Sequence, residues 1–187
     1  MNPESNVLLL DMDGVVVDCE KHFLDTWRGR YPDEFYVPLE KRATFWLEGQ
    51  YPTNCHERIR QILNEPGFFL GMPPMAGAVN AVEGLRLAGY ELFICTRPMP
   101  SSDTMVGEKI QWIGRHLGAH MRQRMFVVTD KTLVRGAWLL DDKPDAEHGL
   151  VTPTWEHVLF NQPYNRQVLG KRRADWTNWQ SVFPKLP

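Results

Sequence analysis

The sequence has 187 residues, is poor in cysteine, and contains neither a long hydrophobic run nor a block of like charges. Its three cysteines, Cys19, Cys55 and Cys95, are widely spaced and form no CxxC pair, which argues against a disulfide framework and a structural zinc site. The longest apolar runs, such as residues 7–10, fall far short of the roughly 20 residues that span a bilayer. We therefore expect a soluble protein with reduced thiols and no membrane partner.

Charge and the amino terminus narrow the class of protein further. Lys and Arg total 21 against 23 Asp and Glu, a formal net charge of −2. This balance argues against a protein that binds nucleic acid polymers. Six mostly polar residues precede the first apolar run, too few for a signal or transit peptide. We expect a cytoplasmic location.

Five short apolar runs end abruptly in polar turns, which is typical of strands buried on both faces. They are residues 7–10, 91–95, 125–128, 137–140 and 158–160. Between them lie helical stripes, one before Gly89 and one from Met105 to Leu117 that Ser102 or Asp103 starts and Gly118 closes. The alternation predicts an α/β fold, a mainly parallel sheet with helices on both faces.

Residues 18–72 interrupt this alternation and carry many of the chain's 7 Trp and 9 Phe. Apolar groups there predict three short helices, around Phe23, Leu24 and Trp27, around Phe45, Trp46 and Leu47, and around Ile59, Ile62 and Leu63. We expect residues 18–72 to form a small helical cap inserted after the first strand. The core would then comprise residues 1–17 and 73–187.

Polar side chains stand at the carboxyl ends of four predicted strands: Asp11 with Asp13, Thr96, Lys131, and Asp141 with Asp142. In an open parallel sheet, the ligand crevice lies along that edge. Any one of these residues is ordinary turn chemistry on its own. Four such positions in order are more specific, and they predict a single active site.

The residue types at these strand ends fit one reaction. Asp11 would act as a nucleophile, and Asp13, two residues on, would protonate a leaving oxygen and later deprotonate water. Converging carboxylates need a cation between them, and Mg²⁺ is the natural choice. The Thr96 hydroxyl, the Arg97 backbone N–H and the Lys131 ammonium would hold phosphoryl oxygens. The pattern predicts phosphoryl transfer to an aspartate, followed by hydrolysis.

These motifs resemble the haloacid dehalogenase superfamily of phosphohydrolases. The segment at residues 11–16, DMDGVV, matches its first motif, Thr96 its second, Lys131 its third, and Asp141 with Asp142 its fourth. More narrowly, the chain resembles the 5'(3')-deoxyribonucleotidases through ICT at residues 94–96, DKT at 130–132, LDDKP at 140–144 and TWEHVLF at 154–160. The resemblance runs from residue 8 to about 166.

The resemblance implies a Rossmann-like core with a cap, a homodimer, and hydrolysis of (deoxy)ribonucleoside monophosphates. It implies Mg²⁺ held by the Asp11 carboxylate, the Asp13 main-chain carbonyl and the Asp142 carboxylate, with Asp141 in support. Phosphate would be bound by Thr96 and Lys131.

The same resemblance implies a nucleoside contact in the cap. Phe45, Trp46 and Leu47 match the segment that packs on the nucleoside in this family. Three positions depart from the family pattern. Cys19 stands where an aromatic residue contacts the base, Leu63 replaces a tryptophan, and Arg97 stands where serine is usual.

The departures leave the preferred base, the sugar and the choice between 5' and 3' phosphates open. Three alternatives remain. The first is a phosphatase of the same mechanism that acts on another small phosphomonoester. A weaker one is a signalling module that accepts a phosphoryl group on aspartate without turnover, and the weakest is a catalytically silent binding protein of the same fold.

Overall fold

The chain is described here by a computed structural model that covers residues 6–186. The predicted core limits at residues 1 and 187, and most of the polar segment before Val7, lie outside the described residues. Six strands form one sheet in the order β3-β2-β1-β4-β5-β6, and every neighbouring pair is parallel. They are β1 (Val7–Leu10), β2 (Glu91–Thr96), β3 (Met125–Val127), β4 (Trp138–Asp141), β5 (Glu156–Phe160) and β6 (Arg173–Ala174). The predicted parallel α/β fold is confirmed.

In the described part of the chain, six α-helices accompany the sheet: α1 (Cys19–Arg30), α2 (His56–Leu63), α3 (Phe68–Gly71), α4 (Ala78–Leu87), α5 (Met105–His116) and α6 (Trp179–Val182). The helices predicted before Gly89 and Gly118 are α4 and α5. Both glycines adopt positive φ, 98° and 91°, the left-handed conformation that commonly ends a helix. Thr104 is the residue that precedes α5, so the predicted start at Ser102 or Asp103 is slightly too early. The Ser102 hydroxyl still accepts from the Met105 N–H at 3.3 Å. Within residues 6–186, no helix is long and apolar enough to cross a bilayer.

The central strand β1 is buried on both faces of the sheet. Leu8 and Leu10 join the main hydrophobic cluster, whereas Leu9 joins a second cluster with Cys95 and Leu139. This division follows from the alternation of side chains along a strand. Leu10 pairs in register with Ile94 of β2 and Leu140 of β4. The residues that follow these three strands are therefore brought to one edge of the sheet.

Helices α1 and α2 confirm two of the three helices predicted between residues 18 and 72. The third is wrong, because Phe45, Trp46 and Leu47 lie in a bend that leads into a 3₁₀ turn at Glu48–Gln50. The Gln50 side-chain amide accepts from the Ala43 N–H at 2.6 Å and donates to the Thr44 carbonyl at 3.4 Å. Such local side-chain bonds compete with the helical pattern. The division of the chain into a core and a cap at residues 18–72 stays a prediction.

Candidate active site

The carboxyl ends of β1, β2 and β4 open into a cavity of about 770 Å³. All but one of the residues predicted for the site line it: Asp11, Asp13, Cys19, Phe45, Trp46, Thr96, Arg97, Lys131, Asp141 and Asp142. Leu63, which stands where the family pattern has a tryptophan, also lines the cavity. The exception is Leu47, which packs against the main hydrophobic cluster instead.

Lys131 joins two of the strand-end carboxylates. Its ammonium lies 2.6 Å from Asp11 Oδ1 and 2.7 Å from Asp141 Oδ2, and its side chain is 6% exposed. Burial by itself would lower the pKa of Lys131, but Asp11 and Asp141 outweigh burial and raise it. Lys131 therefore carries a fixed positive charge beside Asp11.

Three carboxylates crowd together at this edge. Oxygens of Asp11, Asp141 and Asp142 lie within 4.8 Å of one another, and all three residues are buried. Burial raises the pKa of Asp11 to about 7, with Asp141 and Asp13 adding to the rise and Lys131 opposing it. Burial, together with Asp11 and Asp141, also raises the pKa of Asp142 well above its ordinary value. Negative charge is thus costly here unless a further cation offsets it.

The donor atoms of this cluster fit a hard divalent cation such as Mg²⁺. All are carboxylate oxygens, which are the ligands such ions prefer. Asp142 Oδ1 is buried and has no hydrogen-bond partner among residues 6–186. Asp141 is more fully engaged, because Oδ2 contacts Lys131 and Oδ1 accepts from the Lys143 N–H at 2.8 Å. The supporting role expected for Asp141 is consistent with these contacts.

The turn after Asp13 requires glycine. Gly14 has a φ of 76°, and a Cβ at this position would lie 2.4 Å from Asp142 Oδ2 and 3.0 Å from the Tyr164 hydroxyl. The turn is held in place by Gln162, whose side-chain amide donates to the Gly14 carbonyl at 2.6 Å. The backbone of the first motif therefore approaches the carboxylate cluster more closely than any side chain would permit.

Lys109 of α5 is a site residue that sequence reasoning missed. It is fully buried, pairs with Asp13 Oδ2, and donates to the Thr96 hydroxyl at 2.8 Å. It lies on the buried face of α5 with Met105, Glu108, Trp112 and Ile113. The signal in the sequence was weak, because Glu108 is buried beside it and the helical stripe is not apolar throughout.

Tyr164 is the second such residue. It lies in a 3₁₀ turn at Pro163–Asn165 after β5, and its hydroxyl donates to Asp142 Oδ2. Burial and the neighbouring Asp142 raise the pKa of Tyr164 well above its ordinary value, so the hydroxyl keeps its proton. Its place beyond the carboxyl end of a predicted strand was the signal available in the sequence.

An apolar wall lines the same cavity as the charged edge. We use this term for Cys19, Phe45, Trp46, Leu63 and Phe69. Trp46 is 67% exposed and meets Phe45 edge to face, with ring centroids 5.1 Å apart. Burial raises the pKa of the Cys19 thiol well above its ordinary value, so the thiol stays protonated. A cavity lined by both charged and apolar side chains suits a ligand that has an anionic group and an apolar ring system.

Comparisons with known proteins agree with this arrangement. The family model of "5' nucleotidase, deoxy (Pyrimidine), cytosolic type C protein" matches residues 5–186. A Bordetella pertussis protein provisionally named a 5'(3')-deoxyribonucleotidase is 39% identical over 177 residues, which cover 95% of each chain. The human 5'(3')-deoxyribonucleotidase of cytosolic type is 37% identical over 185 residues, covering 94% of this chain and 92% of that protein.

The fold is also similar to that of a solved haloacid dehalogenase family hydrolase from Deinococcus radiodurans with bound phosphate and sodium. The TM-score is 0.62 at 13% identity, over 96% of this chain and 95% of the other. At this identity the similarity concerns the fold alone.

Proposed function

This chain belongs to the 5'(3')-deoxyribonucleotidase family and is a phosphoric monoester hydrolase of haloacid dehalogenase fold; on that premise, we propose that it is a Mg²⁺-dependent 5'-nucleotidase. Its substrates would be (deoxy)ribonucleoside monophosphates, hydrolysed through an aspartyl phosphate. The observation that carries the proposal is the single cavity that joins the carboxylate cluster to the apolar wall.

Asp11 is the proposed nucleophile. One of its carboxylate oxygens forms a bond to phosphorus while the bond from phosphorus to the nucleoside oxygen breaks. Lys131, 2.6 Å from Asp11 Oδ1, favours the charged carboxylate. Mg²⁺, held by the Asp11 and Asp142 carboxylates and the Asp13 main-chain carbonyl, would offset the crowded negative charge and draw electron density from the phosphoryl oxygens.

Asp13 is the proposed acid and base. Lys109 holds its Oδ2, and the side chain is 35% exposed and lines the cavity. In this proposal, the carboxyl group gives a proton to the leaving nucleoside oxygen. In the second half of the reaction it takes a proton from water, which attacks phosphorus and releases Asp11 and inorganic phosphate.

The remaining residues bind the two ends of the substrate. The Thr96 hydroxyl, the Arg97 N–H and the Lys131 ammonium hold the phosphoryl oxygens in this proposal. Phe45 and Trp46 pack on the nucleoside, with Cys19 nearby. Leu47, which packs on the core rather than lining the cavity, supports that segment from behind.

A substrate panel tests the proposal. Nucleoside 5'- and 3'-monophosphates, with ribose and deoxyribose, are compared with sugar phosphates and an aryl phosphate, in Mg²⁺ and in EDTA. We expect one or more nucleoside monophosphates to be the fastest substrates and EDTA to abolish turnover. An aryl or sugar phosphate as the fastest substrate would instead favour a phosphatase for another small phosphomonoester. Stable labelling of the protein without phosphate release would favour the signalling alternative.

The proposal also includes the cellular location of the protein and its oligomeric state. The name of the human relative, of cytosolic type, supports a cytoplasmic location. A homodimer stays a prediction from the family resemblance, and sedimentation at micromolar concentration would test it.

A further inference from the structure

Tyr164 contacts both halves of the cavity with different parts of one side chain. It is 2% exposed, and it lies between the carboxylate cluster and the segment that carries Phe45. We propose that Tyr164 is a positioning residue with two separable effects. Its hydroxyl orients the Asp142 carboxylate for a divalent cation, and its ring supports Phe45 where the nucleoside packs. This inference rests on the proposed function.

The hydroxyl acts on a single oxygen of Asp142. It donates to Oδ2, while Oδ1 stays buried and has no hydrogen-bond partner in the described chain. A carboxylate held through one oxygen presents the other in a fixed direction. Hydrogen bonds of this kind to metal-binding side chains typically change metal affinity about 10- to 100-fold.

The turn that carries Tyr164 is itself tied to the site. The Asn165 side-chain amide donates to the main-chain carbonyls of Asp142 and Phe160, both at 2.8 Å. Gln162 donates to the Gly14 carbonyl at 2.6 Å. Hydrogen bonds from Gln162 and Asn165 therefore fix the turn before and after Tyr164. A fixed turn holds the Tyr164 hydroxyl in one position.

The ring acts on the other half of the cavity. It meets Phe45 edge to face, with ring centroids 6.0 Å apart and the planes at 77°. The Arg42 guanidinium lies over the same ring, 5.8 Å from its centroid. Arg42 is 3% exposed and pairs with Glu20 of α1, with Nε 2.6 Å from Oε2. Through these contacts, residues 42–45 are packed onto Tyr164 and α1.

Two substitutions separate the hydroxyl from the ring. Calorimetric titration with Mg²⁺ alone gives the cation Kd, and steady-state kinetics at saturating Mg²⁺ gives the nucleotide KM. Tyr164→Phe keeps the ring, so we expect the Kd for Mg²⁺ to rise about 10- to 100-fold with the KM unchanged. Tyr164→Leu removes both groups, so the Kd should rise equally and the KM should rise as well.

Tyr90→Phe is the matched control. Tyr90 is 4% exposed, and its hydroxyl donates to the Pro184 carbonyl at 2.9 Å, away from the cavity lining. We expect a lower melting temperature with unchanged Mg²⁺ Kd. Wild-type Mg²⁺ affinity in Tyr164→Phe, or equal KM values in the two Tyr164 variants, would overturn the inference. A wild-type protein that binds no Mg²⁺ would contradict the proposed cofactor as well.

Discussion

At the residue scale, two buried lysines beside the strand-end residues, Lys131 and Lys109, differ in what they contact. Lys131 pairs with Asp11 and Asp141, whereas Lys109 pairs with Asp13 and donates to Thr96. The proposed nucleophile and the proposed acid and base therefore each have a cation of their own. In the proposed reaction, this separation would let one carboxylate attack phosphorus while the other moves a proton.

The role of Asp13 is tested by Asp13→Asn. The amide keeps the shape of the side chain but supplies no proton, so we expect kcat to fall by at least about 100-fold. The fold should stay intact, but the melting temperature should fall, because Lys109 loses its carboxylate partner while it stays buried. Asp25→Asn, at an exposed position on α1, is the control and should keep wild-type turnover. Unchanged steady-state phosphate release from Asp13→Asn would refute the assignment.

The role of Lys109 is tested by Lys109→Met. Methionine fills a similar volume but leaves Asp13 and Thr96 without their shared partner, so we expect kcat/KM to fall about 100-fold. Removing one partner of a buried ion pair leaves the other charge uncompensated, so we expect a lower melting temperature, and the kinetics are measured well below it. Lys21→Met, at an exposed ion pair, controls for the loss of a charge. Wild-type kinetics in Lys109→Met would exclude the positioning role.

The sequence predicted the strand-end residues but not their partners. Asp11, Thr96 and Asp142 lie at the ends of strands whose burial is evident from local composition. Lys131 lies beyond β3, which is only partly buried, so the prediction of a strand buried on both faces at residues 125–128 is wrong. Lys109 reaches Asp13 across 96 positions of the chain, a contact that depends on how α5 packs. Local patterns carry no information on such a pairing.

At the scale of elements, α5 also anchors the start of α3. The Glu108 carboxylate accepts from the backbone N–H groups of Gly67 at 2.8 Å, Phe69 at 3.0 Å and Leu70 at 3.2 Å. These lie at or just before the first turn of a helix, where N–H groups lack partners within the helix. Partial burial would raise the pKa of Glu108, but these N–H groups and Thr104 outweigh burial and lower it.

Glu108→Ala removes this connection between two helices. Since a hydrogen bond to a charged group contributes about 1.5–3 kcal/mol, we expect the free energy of unfolding to fall by about 2–3 kcal/mol. Glu108→Gln retains an acceptor oxygen and should lose less. Urea unfolding of both variants measures the difference. Equal stability of Glu108→Ala and wild type would contradict the anchoring role.

The contacts of Glu147 with Lys171 and His157 should make the free energy of unfolding depend on pH. Glu147 contacts Lys171 at 2.6 Å and His157 at 2.9 Å. Partial burial would raise the pKa of Glu147, but its hydrogen bonds, that from Lys171 foremost, lower it from 4.5 to about 2. A carboxyl group with a depressed pKa in the folded state stabilises the fold above its unfolded pKa. That contribution is lost as pH falls from 4.5 towards 2.

Glu147→Gln measures this contribution. We expect wild type to be more stable than the variant at pH 6, and the difference in unfolding free energy to shrink as pH falls below about 4.5. Urea titrations at pH 6, 4 and 3 follow it. A difference that is independent of pH would show that Glu147 acts through packing alone.

The sequence predicts an element well where the local hydrophobic pattern decides it. Buried apolar runs predict β1, β2 and β4, and amphipathic stripes predict α4 and α5. The segment at residues 45–47 was predicted as helix and is a bend, because Gln50 binds the backbone of residues 43 and 44. The short strand β6 has only two residues, too few to produce a pattern.

At the scale of the whole molecule, the proposed binding of Mg²⁺ to the carboxylate cluster would make stability depend on that cation. An ion that binds only the folded state stabilises it by about 2.7 kcal/mol at 100 times its Kd. For a chain of this size, that corresponds to a rise of about 5–10 °C in melting temperature. Differential scanning calorimetry with Mg²⁺, with EDTA and with added Na⁺ as a control measures it. Equal melting temperatures in Mg²⁺ and EDTA would contradict the proposed metal site.

The sequence also predicted the parallel sheet, because buried runs alternate with amphipathic stripes and parallel strands need such crossovers. It did not predict how residues 42–46 pack onto Tyr164 and α1. That arrangement depends on a buried arginine, Arg42, and on ring contacts between segments that are far apart in the chain.

The contacts of Glu108 have a consequence for how this enzyme can change over evolution. Glu108 binds main-chain N–H groups, which every residue except proline offers, so its hydrogen bonds do not depend on the side chains of residues 67, 69 and 70. Substitutions at the apolar wall can alter substrate range without disturbing this attachment. Lys109, the next residue of the same helix, continues to hold Asp13. Substrate preference can therefore diverge while the catalytic machinery is inherited intact.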